Sequence, residues 1–419
     1  MKKNIRIYIL KIREKLWFRP LLFCVFSVIG ALFAHQADGF GFNENIPDIS
    51  IDSIKALLDT ISSSMLVISI FAVGSMISAF SNASTTATPR SFKIVVTDDV
   101  SQNALSVFIG AFIFSIVATI ALNNEYYGKA GRFILFLFTI LLFTVVILTF
   151  LRWVDRISRL GRLEHTINQI ETVAAKSLTE YISHPNLKAL PIRGDFPDSL
   201  AITANSVGYV QHINMEELQA IAKDLDLKMR LNCIPGKFVH DHFVIAYVRS
   251  DQNLELEMIA KKINNTIHVG TTRIFDEDPR FGLIALSEIA SRALSPGIND
   301  PGTAIQIIGS HERLFFLWNQ EKKSKTEKEE VLYDRVEVQD ISMEDFFDDA
   351  FRPISRDGAD NIEVMLRLQK TYTSLGTIDN DAIKKSATQF AKEAFNRAKL
   401  AMQFENDLEN LKEHCLFSK

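Results

Sequence analysis

The sequence predicts an α-helical membrane domain of four transmembrane helices joined to a cytoplasmic α+β domain that ends helical. Three observations carry this expectation. Four long apolar segments lie in the first 151 residues, at Pro20 to Ala34, Ile61 to Phe80, Ala104 to Leu122 and Phe133 to Leu151. Basic residues crowd one side of the first and last of these segments. From Leu163 onward the pattern turns to alternating short strands and amphipathic helices. The boundary expected from this shift puts a membrane domain at 1–162 and a cytoplasmic domain at 163–419.

A hydrocarbon core needs about 20 apolar residues in a helix, so three segments reach spanning length and the first borrows Leu16, Trp17 and Phe18. A cleaved signal peptide is the competing reading of the N-terminus. Its basic region is long, however, and Ala31 to Asp38 (ALFAHQAD) only loosely resembles a cleavage site. Orientation follows from charge. Residues 1–19 hold seven basic residues (Lys2, Lys3, Arg6, Lys11, Arg13, Lys15 and Arg19), whereas 35–60 hold only Lys55 against five acids. The N-terminus is thus expected inside, four spans return the chain there, and Arg152, Arg156, Arg159 and Arg162 after the last span agree.

The second span differs in kind from the fourth. Phe133 to Leu151 is uniformly apolar, whereas Ile61 to Phe80 carries many serines, and Ser64, Ser75, Ser78 and Asn82 share one helical face. Such a face can line an aqueous path, where polar groups at membrane depth are tolerated. It can equally serve helix packing, as the Gly74/Ser78 and Ser106/Gly110 pairs would. In the loop that follows, Arg90 can meet a lipid headgroup or simply anchor a helix end.

In the second half, Thr166 to Tyr181 reads as a linker helix. A β-rich unit follows at about 195–250, with strands at Ser199–Ala204, Val207–Ile213, Leu227–Cys233 and Phe238–Arg249 around a helix from Met215 to Asp226. On the last strand, His240 and His242 would point to the same face as a metal pair, with solvent-facing histidines as the plain alternative. Signature helices occupy about 271–318, after a helix at 253–265 and a strand from Thr266 to Ile274. Asp278-Pro279 and Asp300-Pro301 each pair an N-cap carboxylate with proline at the first helical position, and Ser295-Pro296-Gly297 stops the helix between them. Asp276, Asp278, Asn299 and Asp300 supply oxygen ligands that would suit a hard cation, while capping by Asp278 and Asp300 is the simpler account. A charged connector (Glu321 to Glu330), a short acidic stretch (Val331 to Arg352) and two helices within about 360–415 complete the chain.

The runs TRIFDEDPRFGL (Thr272 to Leu283) and ASRALSPGINDPGTAIQ (Ala290 to Gln306) resemble the signature of a bacterial integral-membrane family, domain of unknown function 2254. The resemblance extends to SMISAFSNASTTATPRSF (Ser75 to Phe92) and so covers most of the chain. It implies a bacterial membrane protein with a cytoplasmic soluble part; together with the spans and the charge pattern, the expectation is a multi-pass protein of the inner membrane, with the lipid bilayer as a partner and both termini cytoplasmic. It brings no activity and no functional residues with it.

Function classes narrow by exclusion. A net charge of -4 and a pI near 6.2 offer no basic face for nucleic acid. Cys24, Cys233 and Cys415 are too scattered for a zinc cluster or disulfide framework. No cofactor is expected, since the turn Pro235-Gly236-Lys237 lacks phosphate-loop spacing and no dinucleotide fingerprint occurs. No nucleophile, base and orienting group stand together in a motif, which disfavours an enzyme. What remains is a subunit of a homo-oligomeric channel or transport assembly with a cytoplasmic sensing or assembly domain, or a membrane-anchored regulatory or scaffold protein without transport.

Overall fold

A computed structural model describes residues 18–40, 47–86, 88–90, 99–159, 162–250, 255–324 and 331–418. Trp17, the basic residues from Lys2 to Lys15 and the connector at 325–330 lie outside them. The chain divides into two compact units, Met1–Thr166 and Ile167–Lys419.

Among the described residues of the first unit, four helices are long and apolar enough to cross a membrane: α1 (Phe18–Phe33, with its span continuing to Gln36), α2 (Ile51–Thr86), α3 (Asp99–Asn123) and α4 (Lys129–Arg159). All but α1 extend well past the apolar segments read from sequence, because polar end turns complete them. α3 is the most enclosed, packing against α1, α2 and α4. Its sequence explains this. Ala104, Ser106, Ala111, Ser115 and Ala118 are buried, and these small side chains let neighbouring backbones approach. At Gly110 an added Cβ would lie 3.1 Å from Phe23 Cβ and 3.2 Å from Ser27 Oγ. A 3-10 segment (Ala34–Phe40) follows α1, and its Asp38 accepts from Gly128 N and Gly131 N, both at 2.8 Å. A carboxylate thereby satisfies donors at the start of α4.

Helix α5 (Leu163–Ser183) starts in the last residues of the first unit and runs mostly in the second. A left-handed turn at Asn186, Leu187 and Lys188 then redirects the chain, pinned by Asn186 Nδ2 donating to Val338 O at 2.7 Å. Two sheets follow. The larger has the order β1 (Ala189–Pro191), β8 (Tyr333–Val338), β4 (Lys228–Leu231), β6 (Val244–Arg249), β2 (Leu200–Thr203). β8 runs parallel to both β1 and β4, and the remaining pairs are antiparallel. The smaller has the order β5 (Phe238–Val239), β3 (Gly208–Ile213), β7 (Ile267–Gly270). Helices α6 (Met215–Asp224) and α7 (Leu256–Thr266) bury Leu218, Ala222, Ile259 and Ile263 in one core with Met229, Leu231, Val248, Val336 and Val338. Asn214 caps α6, accepting from Glu217 N while its Nδ2 donates to Glu217 Oε2 at 2.8 Å.

The rest is helical: α8 (Phe281–Ala293), α9 (Pro301–Ser324), α10 (Met343–Asp357), α11 (Ile362–Gly376), α12 (Asp381–Ala401) and α13 (Glu405–Glu413). Phe315, Phe347, Phe351, Tyr372 and Phe390 form an aromatic core among them, with successive ring centroids 4.6–5.6 Å apart. Such offset and edge contacts add stabilisation beyond their buried area.

Several expected elements are redrawn. The strand expected from Phe238 to Arg249 is two strands of different sheets, separated by a turn in which Phe243 N donates to His240 O at 2.7 Å. The stretch Val331 to Arg352 holds the interior strand β8 and most of α10. β8 was hidden because its outward positions are charged: Arg335 pairs with Asp226, and Glu337 with Arg230. The last helix breaks at 402–404, and β7 ends at Gly270.

Candidate functional site

The signature stretch begins with a buried ion pair. Asp278, 1% exposed, accepts from Arg273 Nε at 2.6 Å and Nη2 at 2.9 Å, and from Arg280 N at 3.1 Å. The helix starts at Phe281, so Asp278 closes the turn ahead of it and binds arginine instead of capping its first turn. Gly236, at φ +91°, faces this pair; a Cβ there would collide with the Asp278 carboxylate and Arg273. Glycine is therefore required twice over, by its dihedral and by the close approach. Arg280 reaches α10, with Nη2 3.1 Å from Asp349 Oδ1 and Nη1 3.3 Å from Asp345. Burial pushes the Asp349 carboxyl up, and Arg280 opposes that shift.

At the far end of α8, Asp300 caps α9, accepting from Thr303 N at 3.1 Å and from Thr303 Oγ1 at 2.6 Å. The 13 residues of α8 put about 20 Å of helix between the two ends. Asp276 and Asp278 therefore stand apart from Asn299 and Asp300, and the structure does not gather the four. Among the described residues, no group of three or more His, Cys, Asp and Glu is placed to hold a metal ion. His240 and His242 sit at the β5–β6 turn, off any strand, with ring centroids 6.4 Å apart and His242 N donating to His240 Nδ1. Their same-face argument thus lapses. Glu277 is engaged by His212, whose Nδ1 lies 2.6 Å from its Oε1. That contact needs β3 beside the signature turn and has no local sequence signal.

Ser287 and His311 form a pair that sequence reading passed over. Ser287 Oγ shares its proton between the Asp349 and Ala350 carbonyls, at 2.7 and 2.8 Å, and lies 3.0 Å from His311 Nε2. Both residues are at most 1% exposed, and burial pushes His311 down to about 3. A neutral imidazole and a hydroxyl committed to carbonyls tie α8, α9 and α10 together; neither is accessible as a nucleophile or base.

In the first unit, Ser64, Ser78 and Asn82 are exposed and Ser75 is half-buried, so among the described residues the other helices leave most of this face of α2 open. An open groove of about 400 Å³ runs along it, lined by Phe71, Gly74, Ser75, Ser78, Ala79, Asn82 and, from α4, Ile157. Ser64 lies eleven residues earlier, about 16 Å along the helix. The two small-residue pairs thus differ. Ser106 and Gly110 are packed within the chain, whereas a Cβ on Gly74 would meet nothing within 4 Å.

Over 114 residues the chain is 27% identical to "Uncharacterized protein Rv1290c" of Mycobacterium tuberculosis (strain H37Rv), and equally to "Uncharacterized protein Mb1321c" of Mycobacterium bovis. Each alignment covers 26% of this chain and 22% of the relative, so the chain spans about a fifth of the length of the curated relatives it matches. A shorter match, 52% identical over 42 residues, joins it to "Uncharacterized protein MT1328" of Mycobacterium tuberculosis; it covers 10% of this chain and 8% of the relative. No solved structure matches. The four spanning-length helices agree with the match of residues 13–374 to a single family, and on that match the chain belongs to the family described as predicted membrane protein (DUF2254).

Proposed function

We propose that this membrane protein is a subunit of a homo-oligomeric channel or transport assembly of the bacterial inner membrane, with the uncovered polar face of α2 turned toward a shared axis. The reading rests on one observation: Ser64, Ser75, Ser78 and Asn82 lie on a face that, among the described residues, the other helices leave largely open. A serine-rich face has nothing polar to meet in lipid beyond its own helix, whereas around an axis it can contact water or neighbouring copies. Both termini are placed in the cytoplasm by the basic flanks, and the domain from about residue 163 serves assembly or sensing there. The open space at Gly74 favours a second reading, a close-packed seam without a bore, as in a scaffold.

Ion flux into liposomes holding the purified protein, measured beside its oligomer size, separates the two. Under the pore reading, Ser75→Leu and Ser78→Leu abolish flux with assembly intact, and Leu141→Val on α4 is silent. Correctly assembled wild-type protein that passes no monovalent or divalent ion would overturn the pore reading and leave the scaffold.

A further inference from the structure

Within the second unit, α9 and α11 border an open cleft of about 450 Å³, lined by Gly309, Glu312, Arg313, Phe316, Leu317, Gln320 and Arg367. Two guanidinium groups converge on its floor. A Cβ on Gly309 would lie 3.5 Å from Arg367 Nη2 and 3.6 Å from Arg313 Nη1, so the absence of a side chain there leaves a space that both arginines overlook.

Acids engage both arginines, Glu171 from α5 and Glu312 from the cleft wall itself. Glu171 of α5 accepts from Arg313 Nε at 2.6 Å and Nη2 at 2.7 Å, and Ser310 Oγ lies 3.1 Å from the same Nη2. Glu312 accepts from Arg367 Nη2 at 2.7 Å and from Thr371 Oγ1 at 3.0 Å. A guanidinium carries five N–H donors in a rigid fork, so these bonds fix its plane without exhausting it. Arg313 keeps its Nη1 edge toward Gly309; Arg367 turns there the Nη2 that also donates to Glu312, and keeps Nε and Nη1 for a ligand.

We propose that this cleft binds a small organic oxyanion, its phosphate or carboxylate head between Arg313 and Arg367 and a compact apolar body along Phe316 and Leu317. Fixed, forked donors from two helices suit the planar edges of such a head group. Because Glu171 and Glu312 offset part of the positive charge, a bare anion is held weakly and the apolar wall decides selectivity. This inference needs only the second unit and stands apart from the pore reading.

The test is isothermal titration calorimetry on the full chain in lipid nanodiscs, with phenyl phosphate, inorganic phosphate and phenol as probes. Phenyl phosphate should saturate with a Kd at least about tenfold below that of inorganic phosphate, and phenol should give no binding heat. Gly309→Leu retains every charge and fills the floor, while Arg367→Gln removes one fork. Each should weaken phenyl phosphate by about tenfold or more. Gly309→Ala, whose Cβ makes ordinary contacts, checks that the helix tolerates substitution and should stay near wild type. No saturable binding of phenyl phosphate up to about 10 mM would overturn the proposal. Equal affinity in wild type and a Gly309→Leu variant with unchanged thermal unfolding would do the same, as would phenol binding as well as phenyl phosphate.

Discussion

Asp278 and Asp300 read alike in the sequence, each a carboxylate before a proline, but their surroundings make them unequal. Asp300 caps a helix, so Asp300→Ala should cost about 1 kcal/mol. Asp278 is the buried anion of a bidentate pair, and Arg273→Gln, which strands it, should cost about 3–5 kcal/mol. Thermal unfolding of the full chain orders the two; equal shifts would contradict the buried-pair account. His311 makes a second prediction at this scale. Its folded value near 3 lies below the ordinary histidine value of about 6.5, so the unfolded chain takes up the proton first. The stability carried by the neutral ring is complete above about pH 6.5 and declines as pH falls from there toward 3. Between pH 6.5 and 5 the loss is about 2 kcal/mol. Melts at pH 7.5 and 5 should show a smaller acid effect in His311→Gln than in wild type, and the same acid effect in both would count against it.

Elements show the same division between local text and packed context. Helices α2 and α3 both carry glycine among serines, but Gly110 of α3 presses on Phe23 and Ser27 while Gly74 of α2 meets open space. Gly110→Leu should therefore force α1 away, an overpacking cost of about 1–3 kcal/mol, and lower the melting temperature of the purified protein. Gly74→Leu should leave the single chain's melting unchanged and alter oligomer size, as judged by light scattering. A melting loss at Gly74 with an unchanged assembly would reverse the assignment of the two faces. Strand β8 illustrates what local text cannot supply. Its charged outward positions obscure the alternation, and its partners β1 and β4 lie more than a hundred residues earlier.

For the whole molecule the open quantity is orientation across the membrane. The basic flanks predict that cysteines introduced between residues 38 and 55 react with an impermeant reagent added outside, and that those after 165 do not. Two of the three native thiols interfere little: Cys233 and Cys415 are buried, and burial pushes them up to about 12 and about 11, so Cys24 alone is replaced for the experiment. Outside labelling after residue 165 would invert the topology and with it the cytoplasmic placement of the second unit.

The sequence was enough to foresee four membrane-length helices, a mixed second half and the breaks around the signature, because apolar run length is read along a single segment and caps, prolines and glycines act within one or two turns. The fate of each polar residue was decided by tertiary structure. Asp278 and Asp300 share a spelling, but only folding brings Arg273 and the Gly236 turn against one of them. His240 and His242 read as one strand in the sequence, but the chain passes from one sheet to another between Val239 and Val244. Arg313 and Arg367 are 54 residues apart and converge over Gly309 only because α9 and α11 pack side by side. Pairing of this kind is set by which faces are buried together, a property of the packed chain that no local stretch encodes.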